Sequence, residues 1–315
     1  MDQTKPPLVS VIVPAYNVAG FIGDALNSVL AQTFTDYEII VINDGSPDTE
    51  TLEKVLAPYL SRIVYLKQEN RGVSAARNTG IKAARGSLIA FLDGDDTWLP
   101  HYLEVQVPRI QADPTIDVLY PNVIMFGDSS EAGEEFMTIC PSNGEVTLER
   151  LLLQECNVSN CSIARRETIL RAGLFDESLR SVEDFDLWLR LAHKGARIGY
   201  QTKILAGYRY RSDSISANRI KLHEAALRVL QKTRARLRLN DSEKEALDLT
   251  EQKLESILIL ERAKTLIVKG QVAEARAVMA KARKTNNSWK ISVALVLLHT
   301  FPGLLGRYLK KRHHV

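Results

Sequence analysis

The chain has 315 residues, 45% of them hydrophobic and 25% charged, and a formal net charge of +3. The length allows one large domain with a smaller one, or two domains, in an ordinary globular protein, and the charge is too small to argue for a nucleic-acid partner. Three cysteines, Cys140, Cys156 and Cys161, are an odd number with neither metal-type spacing nor a disulfide pattern, so they read as buried or half-buried thiols in a reducing compartment. Near the N-terminus no long apolar run leads to a small-residue cleavage site, and a cytoplasmic protein is expected.

Leu8–Val13 is a β-rich run that Pro14-Ala15-Tyr16-Asn17 breaks, and Phe21, Ile22, Ala25, Leu26, Val29 and Leu30 then recur at helical spacing. Tyr37–Ile42 is a second apolar strand, stopped by the turn residues Asn43 to Pro47. A helix is expected from Asp48 to Leu60, a strand at Ile63–Leu66, a polar loop from Gln68 to Gly72, and a third helix from Ser74 to Ala84 with Gly86 as its C-terminal cap. Leu88–Leu92 is an all-apolar fourth strand of the kind buried on both faces. This alternation implies βαβ units, hence an α/β domain with a mostly parallel sheet flanked by helices, and such sheets bind ligands at the carboxyl ends of their strands. Pro14–Asn17, Asn43–Asp48, Gln68–Gly72 and Asp93–Asp96 all follow strand ends, so four polar loops should converge on one edge.

Asp93, Asp95 and Asp96 put three carboxylates into four residues, with Gly94 allowing a sharp bend. Like charges this close repel and raise each other's pKa unless something positive sits among them. A hard divalent cation is the simplest such partner, and Mg²⁺ is usually held by one or two carboxylates plus substrate phosphates. The triplet alone is equally compatible with an acidic turn that caps the next helix.

After Pro100 the alternation weakens. Val118–Met125 reads as a strand, 127–144 as an irregular acidic loop, Leu148–Gln154 as a helix, and Ser162–Ala164 as a strand before the helix Glu167–Ala172. In Ser181–His193, Phe185, Trp188, Leu189 and Ala192 form an apolar arc, with Glu183, Asp186 and Arg190 opposite. Asp184 falls on the apolar margin, where partial desolvation would raise its pKa and suit it to accept a proton. The helix dipole would equally favour an acid in that first turn. Arg209 and Arg211 alternate with Tyr208 and Tyr210 in a strand-like run; they could face phosphate or be solvated edge charges.

From about residue 219 the chain turns to long helices, giving domains of 1–218 and 219–315, the second all-α. Helices are expected at Leu222–Leu239, from a Ser242/Glu245 capping box to Lys269, and at Val272–Ala282, with Ala263–Ala282 resembling one tetratricopeptide-like hairpin. Ile291–Leu298 is almost wholly apolar, and Arg307, Lys310, Lys311 and Arg312 follow it. The apolar run is too short to span a bilayer; it fits an interfacial helix, with peripheral membrane contact through Ile291–Arg312, as well as it fits packing on the helical domain.

Five segments together resemble the family 2 glycosyltransferases, inverting nucleotide-sugar transferases with a GT-A fold: Val9–Asn17, Ile40–Asp48, Glu69–Asn78, Phe91–Asp96 and Glu183–Trp188, in the family's order over about two-thirds of the chain. The resemblance implies that Pro14, Ala15 and Tyr16 wall the nucleotide base and that Asp44 accepts from a base N–H. Arg71 and Arg77 would be further nucleotide contacts. Asp93 and Asp95 match the family's Asp-x-Asp, which holds the sugar nucleotide and a divalent metal, Mg²⁺ or Mn²⁺, with Asp96 joining them. Asp184 matches the catalytic base that deprotonates an acceptor hydroxyl for inverting displacement. The implied partners are a nucleotide-diphosphate sugar donor and a glycan or lipid-linked acceptor in cell-envelope or exopolysaccharide assembly. Neither the Gln-x-x-Arg-Trp motif nor the multiple membrane spans of processive synthases are found, so a non-processive enzyme is expected.

Two other classes compete. A nucleotidyltransferase would carry a Gly-rich phosphate loop near the N-terminus, and Val9–Asn17 has none. A non-catalytic sugar-nucleotide-binding protein would have little use for both the Asp93 cluster and Asp184.

Overall fold

The computed structural model describes residues 5–128, 131–142, 144–214, 217–285 and 289–300. Two compact units divide the chain, Met1–Ala217 and Asn218–Val315. In the first, β1 (Val9–Ala15), α1 (Ile22–Leu30), β2 (Tyr37–Asp44), α2 (Thr49–Leu56), β3 (Ile63–Gln68), α3 (Val73–Ala83) and β4 (Leu88–Phe91) alternate as the apolar pattern predicts. Successive strand side chains point to opposite faces, and both faces are covered. Val11, Val13, Ile39 and Val41 join one buried cluster with Leu26 and Val29 of α1 and Leu52 of α2. On the other face a Cβ at Gly80 of α3 would lie 2.7 Å from Ile12 and 2.8 Å from Ile42, so only glycine lets α3 sit this close. Each apolar side chain fully buried there contributes about 1.5–3 kcal/mol.

There follow β5 (Thr97–Trp98), α4 (Tyr102–Ala112), β6 (Ile116–Gly127), α5 (Phe136–Ile139), α6 (Leu148–Leu152), β7 (Ile163–Arg165), α7 (Arg166–Ala172), α8 (Glu183–His193) and β8 (Arg197–Tyr210). Among the described residues the eight strands form one sheet in the order β3-β2-β1-β4-β7-β6-β8-β5. β1 pairs in parallel with both β2 and β4, with Val11 opposite Ile39 and Ala90. β7 runs antiparallel to β4 and β6, and β5 to β8. The chain departs from β1 toward β2 and β3 on one side and reaches β4 on the other, which places the switch point, the usual ligand crevice, between β1 and β4.

Several expected boundaries shift. Gly86 is not a helix cap, since α3 ends in extended backbone at Ala84. A Cβ at Gly86 would lie 2.7 Å from the Ser10 backbone nitrogen, and the Gly86 amide donates to Ser10 Oγ at 2.9 Å, so this glycine serves close approach to β1. The second helix stops at Leu56 and a 3-10 turn over Ala57–Tyr59, with Pro58 inside it, takes the chain on. α4 escapes the pattern because Pro108 lies within it; burial of Tyr102, Leu103, Val107 and Ile110 outweighs the missing backbone donor. The expected irregular loop over 127–144 contains α5. β8 is fourteen residues long, of which only the end was legible.

The second unit holds α9 (Arg219–Arg236), α10 (Asp241–Val268), α11 (Val272–Thr285) and α12 (Trp289–Thr300). The capping box of α10 lies two residues before the expected pair: Asn240 accepts the Glu243 amide at 2.9 Å, and Glu243 accepts the Asn240 amide at 2.8 Å. Gly270, at φ +81°, turns α10 into α11. Ile291 and Leu298 of α12 are buried with Ala263, Ile267, Ala275 and Met279, so the apolar run packs onto the unit by one face. Residues 301–315, which hold the rest of the expected basic tail, lie outside the described residues. Among the described residues no helix is long and apolar enough to cross a membrane.

Candidate active site

The loops after β1, β2, β3 and β4 meet through named bonds. The Asn17 amide donates to Ser46 Oγ at 2.7 Å and the Ala19 amide to Asp48 Oδ2 at 2.9 Å, tying the first loop to the second. Asp44, only 2% exposed, accepts from the Arg71 amide (2.9 Å), the Gly72 amide (2.7 Å) and Gln68 Nε2 (2.7 Å), which pins the third loop to the second. A carboxylate has about four acceptor sites, and these bonds fill three of those of Asp44. A Cβ at Gly94 would come within 3.0 Å of the Pro14 carbonyl oxygen and Val18 Cγ2, so the acidic loop lies against the first loop. Ala15 is buried, Pro14 half-buried and Tyr16 49% exposed, leaving its ring free for a planar partner. Arg71 is exposed and pairs with Glu177.

Asp93 accepts from Arg77 Nη2 and from Asn160 Nδ2, each at 2.7 Å. Asp95 accepts from Arg211 Nη1 at 3.1 Å, and burial, with the Asp93 charge added, still raises its pKa. Asp96 turns inward: it is 2% exposed and accepts the Arg209 amide at 2.8 Å and, at 3.9 Å, the Cys161 thiol. Burial, then the charges of Asp93 and Asp95, push its pKa well up. It therefore anchors the acidic loop to β8, and its expected place among metal ligands is not supported, because the side chain is buried against β8 and Cys161 rather than open to a ligand. Burial likewise pushes the Cys161 thiol up. Cys156 and Cys161 are buried and Cys140 half-buried, and none of the three is in a disulfide.

Arg77 departs furthest from expectation. It is 2% exposed and bridges Asp93 to Glu183, with its guanidinium 5.4 Å from the Phe175 ring centre, so it is a buried counter-ion rather than a nucleotide contact. Burial alone would depress its pKa, but the charges of Asp93 and Glu183 hold it up. Part of the positive charge the acid triplet demands thus comes from guanidinium groups. Arg209 and Arg211 add to it: the first donates through Nε to the Asp95 carbonyl oxygen at 2.7 Å, and both stack on Phe21, at 5.0 and 4.5 Å. These arginines are not solvated edge charges.

Asp184 stands in the first turn of α8. The residue before that helix, Val182, sits at φ +60°, a left-handed conformation that costs a β-branched residue about 1–3 kcal/mol and tends to persist at functional sites. Asp184 Oδ1 accepts the Phe185 amide at 2.7 Å. Burial, reinforced by Glu183 and opposed by Arg77, raises its pKa to about 7. The helical wheel misplaced its neighbours, since Glu183 and Asp186 are buried at 6% and 3% exposure. Pairing makes that tolerable, Glu183 with Arg77 and Asp186 with Arg190 at 2.8 Å. Sequence reasoning also missed Asn160, for which no local signal exists.

Among the described residues no group of three or more His, Cys, Asp or Glu forms a metal cage. The acids still fit a Mg²⁺-like ion, which needs only one or two carboxylates when substrate phosphates supply the rest. Asp95 carries a pKa raised by burial and the Asp93 charge, which a cation would relieve.

The acid cluster follows β4, at the carboxyl end of the sheet beside its switch point, where such sheets bind ligands. Residues 10–170, just over half of the chain, match the model of "Glycosyl transferase family 2", and the chain belongs to that family. It is 33% identical over 219 residues, 68% of its length, to an Escherichia coli protein named as a UDP-Glc:alpha-D-GlcNAc-diphosphoundecaprenol beta-1,3-glucosyltransferase, of which the match spans 81%. It spans 37% of the length of two uncharacterized Rickettsia glycosyltransferases, at 31–32% identity. Residues 1–349 of Staphylococcus aureus TarS, solved with UDP-GlcNAc, superpose with a TM-score of 0.66 at 18% identity, covering 97% of this chain and 91% of that one. A Pyrobaculum calidifontis mannosyltransferase solved with GDP-Man and Mn²⁺ gives 0.61 at 19%, covering 98% and 85%. The fold is GT-A, with a helical C-terminal region.

Proposed function

We propose that the protein is a non-processive, inverting glycosyltransferase that moves a sugar from a nucleoside-diphosphate sugar to an acceptor hydroxyl in envelope or exopolysaccharide glycan assembly. The observation that carries this is Asp184, a half-buried carboxyl with its pKa raised to about 7, linked through Glu183 and Arg77 to Asp93 of the acidic loop. Near neutral pH such a group can take a proton from a hydroxyl, and a base matched to working pH is the most effective. The acceptor oxygen bonds to the anomeric carbon on the face opposite the diphosphate, the carbon–oxygen bond to the diphosphate breaks with its electron pair, and the hydroxyl proton goes to Asp184. Tyr16 and Asp44 hold the base, with Arg71 at the edge of the pocket. Asp93 and Asp95 would hold Mg²⁺ or Mn²⁺, which as a Lewis acid stabilises the leaving diphosphate. The lipid-linked diphosphate in the name of the E. coli relative supports a lipid-linked acceptor here.

The test is a thermal-shift panel of UDP, GDP and deoxythymidine diphosphate with and without Mn²⁺, since binding to the native state raises Tm by mass action. A shift that needs metal and disappears in Asp95→Asn is expected. A metal-independent shift of equal size in Asp95→Asn would overturn the metal role, and no shift with any nucleotide would overturn the donor assignment.

A further inference from the structure

α12 is mostly apolar, yet only part of its apolar surface is covered. Ile291 and Leu298 are fully buried, whereas Trp289, Val293, Val296 and Leu297 are 69, 47, 58 and 42% exposed. Their spacing of four, three and one residues gathers them on one side of the helix. Charge identifies what meets that side. Of the protein's 41 Lys and Arg, nine fall within residues 275–315, and of its 38 Asp and Glu, none does, so residues 1–274 carry a net charge of −6 against +9 in this stretch. Lys281 and Arg283 at the end of α11 are exposed. A second copy of the chain would bring one cationic stretch against another, and like charges in apposition disfavour it. An anionic surface with an apolar layer below it satisfies both features, and a short helix with an apolar face and basic flanks lies in such an interface rather than spanning it.

We propose that the exposed face of α12, with Trp289, Val293, Val296 and Leu297, seats in the surface of an anionic lipid bilayer while Lys281, Arg283 and the other cations of this stretch of sequence favour the headgroups. The cytoplasmic leaflet, with its negative surface potential, is the matching surface. A tryptophan at the start of the helix suits the headgroup level, where its ring is apolar and its N–H remains wet. The inference stands apart from the transfer chemistry, which belongs to the other unit.

The test is co-sedimentation of the full chain with vesicles of phosphatidylcholine alone and of phosphatidylcholine with about one-third phosphatidylglycerol. Binding to the anionic vesicles, weak binding to the neutral ones, and a decline with added salt are expected, because salt shortens the range of exposed charges. Val293→Ser combined with Val296→Ser, both at exposed positions, should weaken anionic-vesicle binding roughly tenfold with helix content unchanged. No binding to anionic vesicles, or binding that the double substitution leaves intact, overturns the proposal. So does a dimer in solution that the double substitution dissolves while vesicle binding persists. The nucleotide-induced thermal shift, measured in parallel on the same double variant, reports on the transfer site separately.

Discussion

Replacing Asp184 with Asn removes a charge that the fold holds at a cost. A carboxyl whose native pKa lies above its unfolded one keeps a proton in the folded state that the unfolded chain has already released. Native stability therefore falls as pH rises from about 4 to the native value of about 7, and the loss is complete above it. Three pH units correspond to a ceiling of about 4 kcal/mol at 1.36 kcal/mol each. Asp184 is only half-buried and Glu183 remains beside it, so about 2 kcal/mol is the expected gain for Asp184→Asn at pH 8, shrinking toward zero at pH 4. The Asn oxygen can still accept the Phe185 amide, so the first turn of α8 should hold. Urea unfolding of both proteins at several pH values, compared through midpoints at constant m, gives the difference directly. The same variant should lose about 10²–10⁴-fold in transfer rate, and wild-type kcat/KM should rise with pH to a plateau above about 7. Equal dependence of stability on pH in the two proteins would refute the buried-charge argument, and an Asn variant that retained activity would refute the role as base.

Arg77→Met should destabilise the protein by about 3–5 kcal/mol, because it leaves Asp93 and Glu183 without their shared counter-ion; adding Glu183→Gln should recover part of that in urea titrations. Gly86→Ala should cost about 1–3 kcal/mol, since its Cβ would meet the Ser10 backbone nitrogen at 2.7 Å. Gly20→Ala, with nothing within 4 Å of the added carbon, should stay within about 0.5 kcal/mol and serves as the control in thermal melts.

Much of the first half of the protein was legible because its signals are local. The apolar runs of β1, β2 and β4, the periodicity of α1 and the turn residues behind each strand lie within a few residues of one another, and helices on both faces simply bury what the pattern marks as buried. The acid triplet and Asp184 stood out locally too, although each alone was equally compatible with a capping turn or with an acid favoured by the helix dipole. Less legible were elements whose local pattern conflicts with their fate. Pro108 argues against the helix it occupies, and Glu183 and Asp186 look like a solvated face although both are buried.

What the sequence determined by itself is the alternating α/β order, the four polar loops and the acids they carry. The partners of those acids were decided only by the tertiary structure. Arg77 reaches Glu183 across 106 positions and Arg211 reaches Asp95 across 116. No periodicity encodes such pairs, because they depend on strand order and register, which the whole sheet sets at once. That distant pairing made Arg77 a counter-ion, turned Asp96 into an internal anchor, and left Asp184 half-buried beside a charge that opposes its protonation.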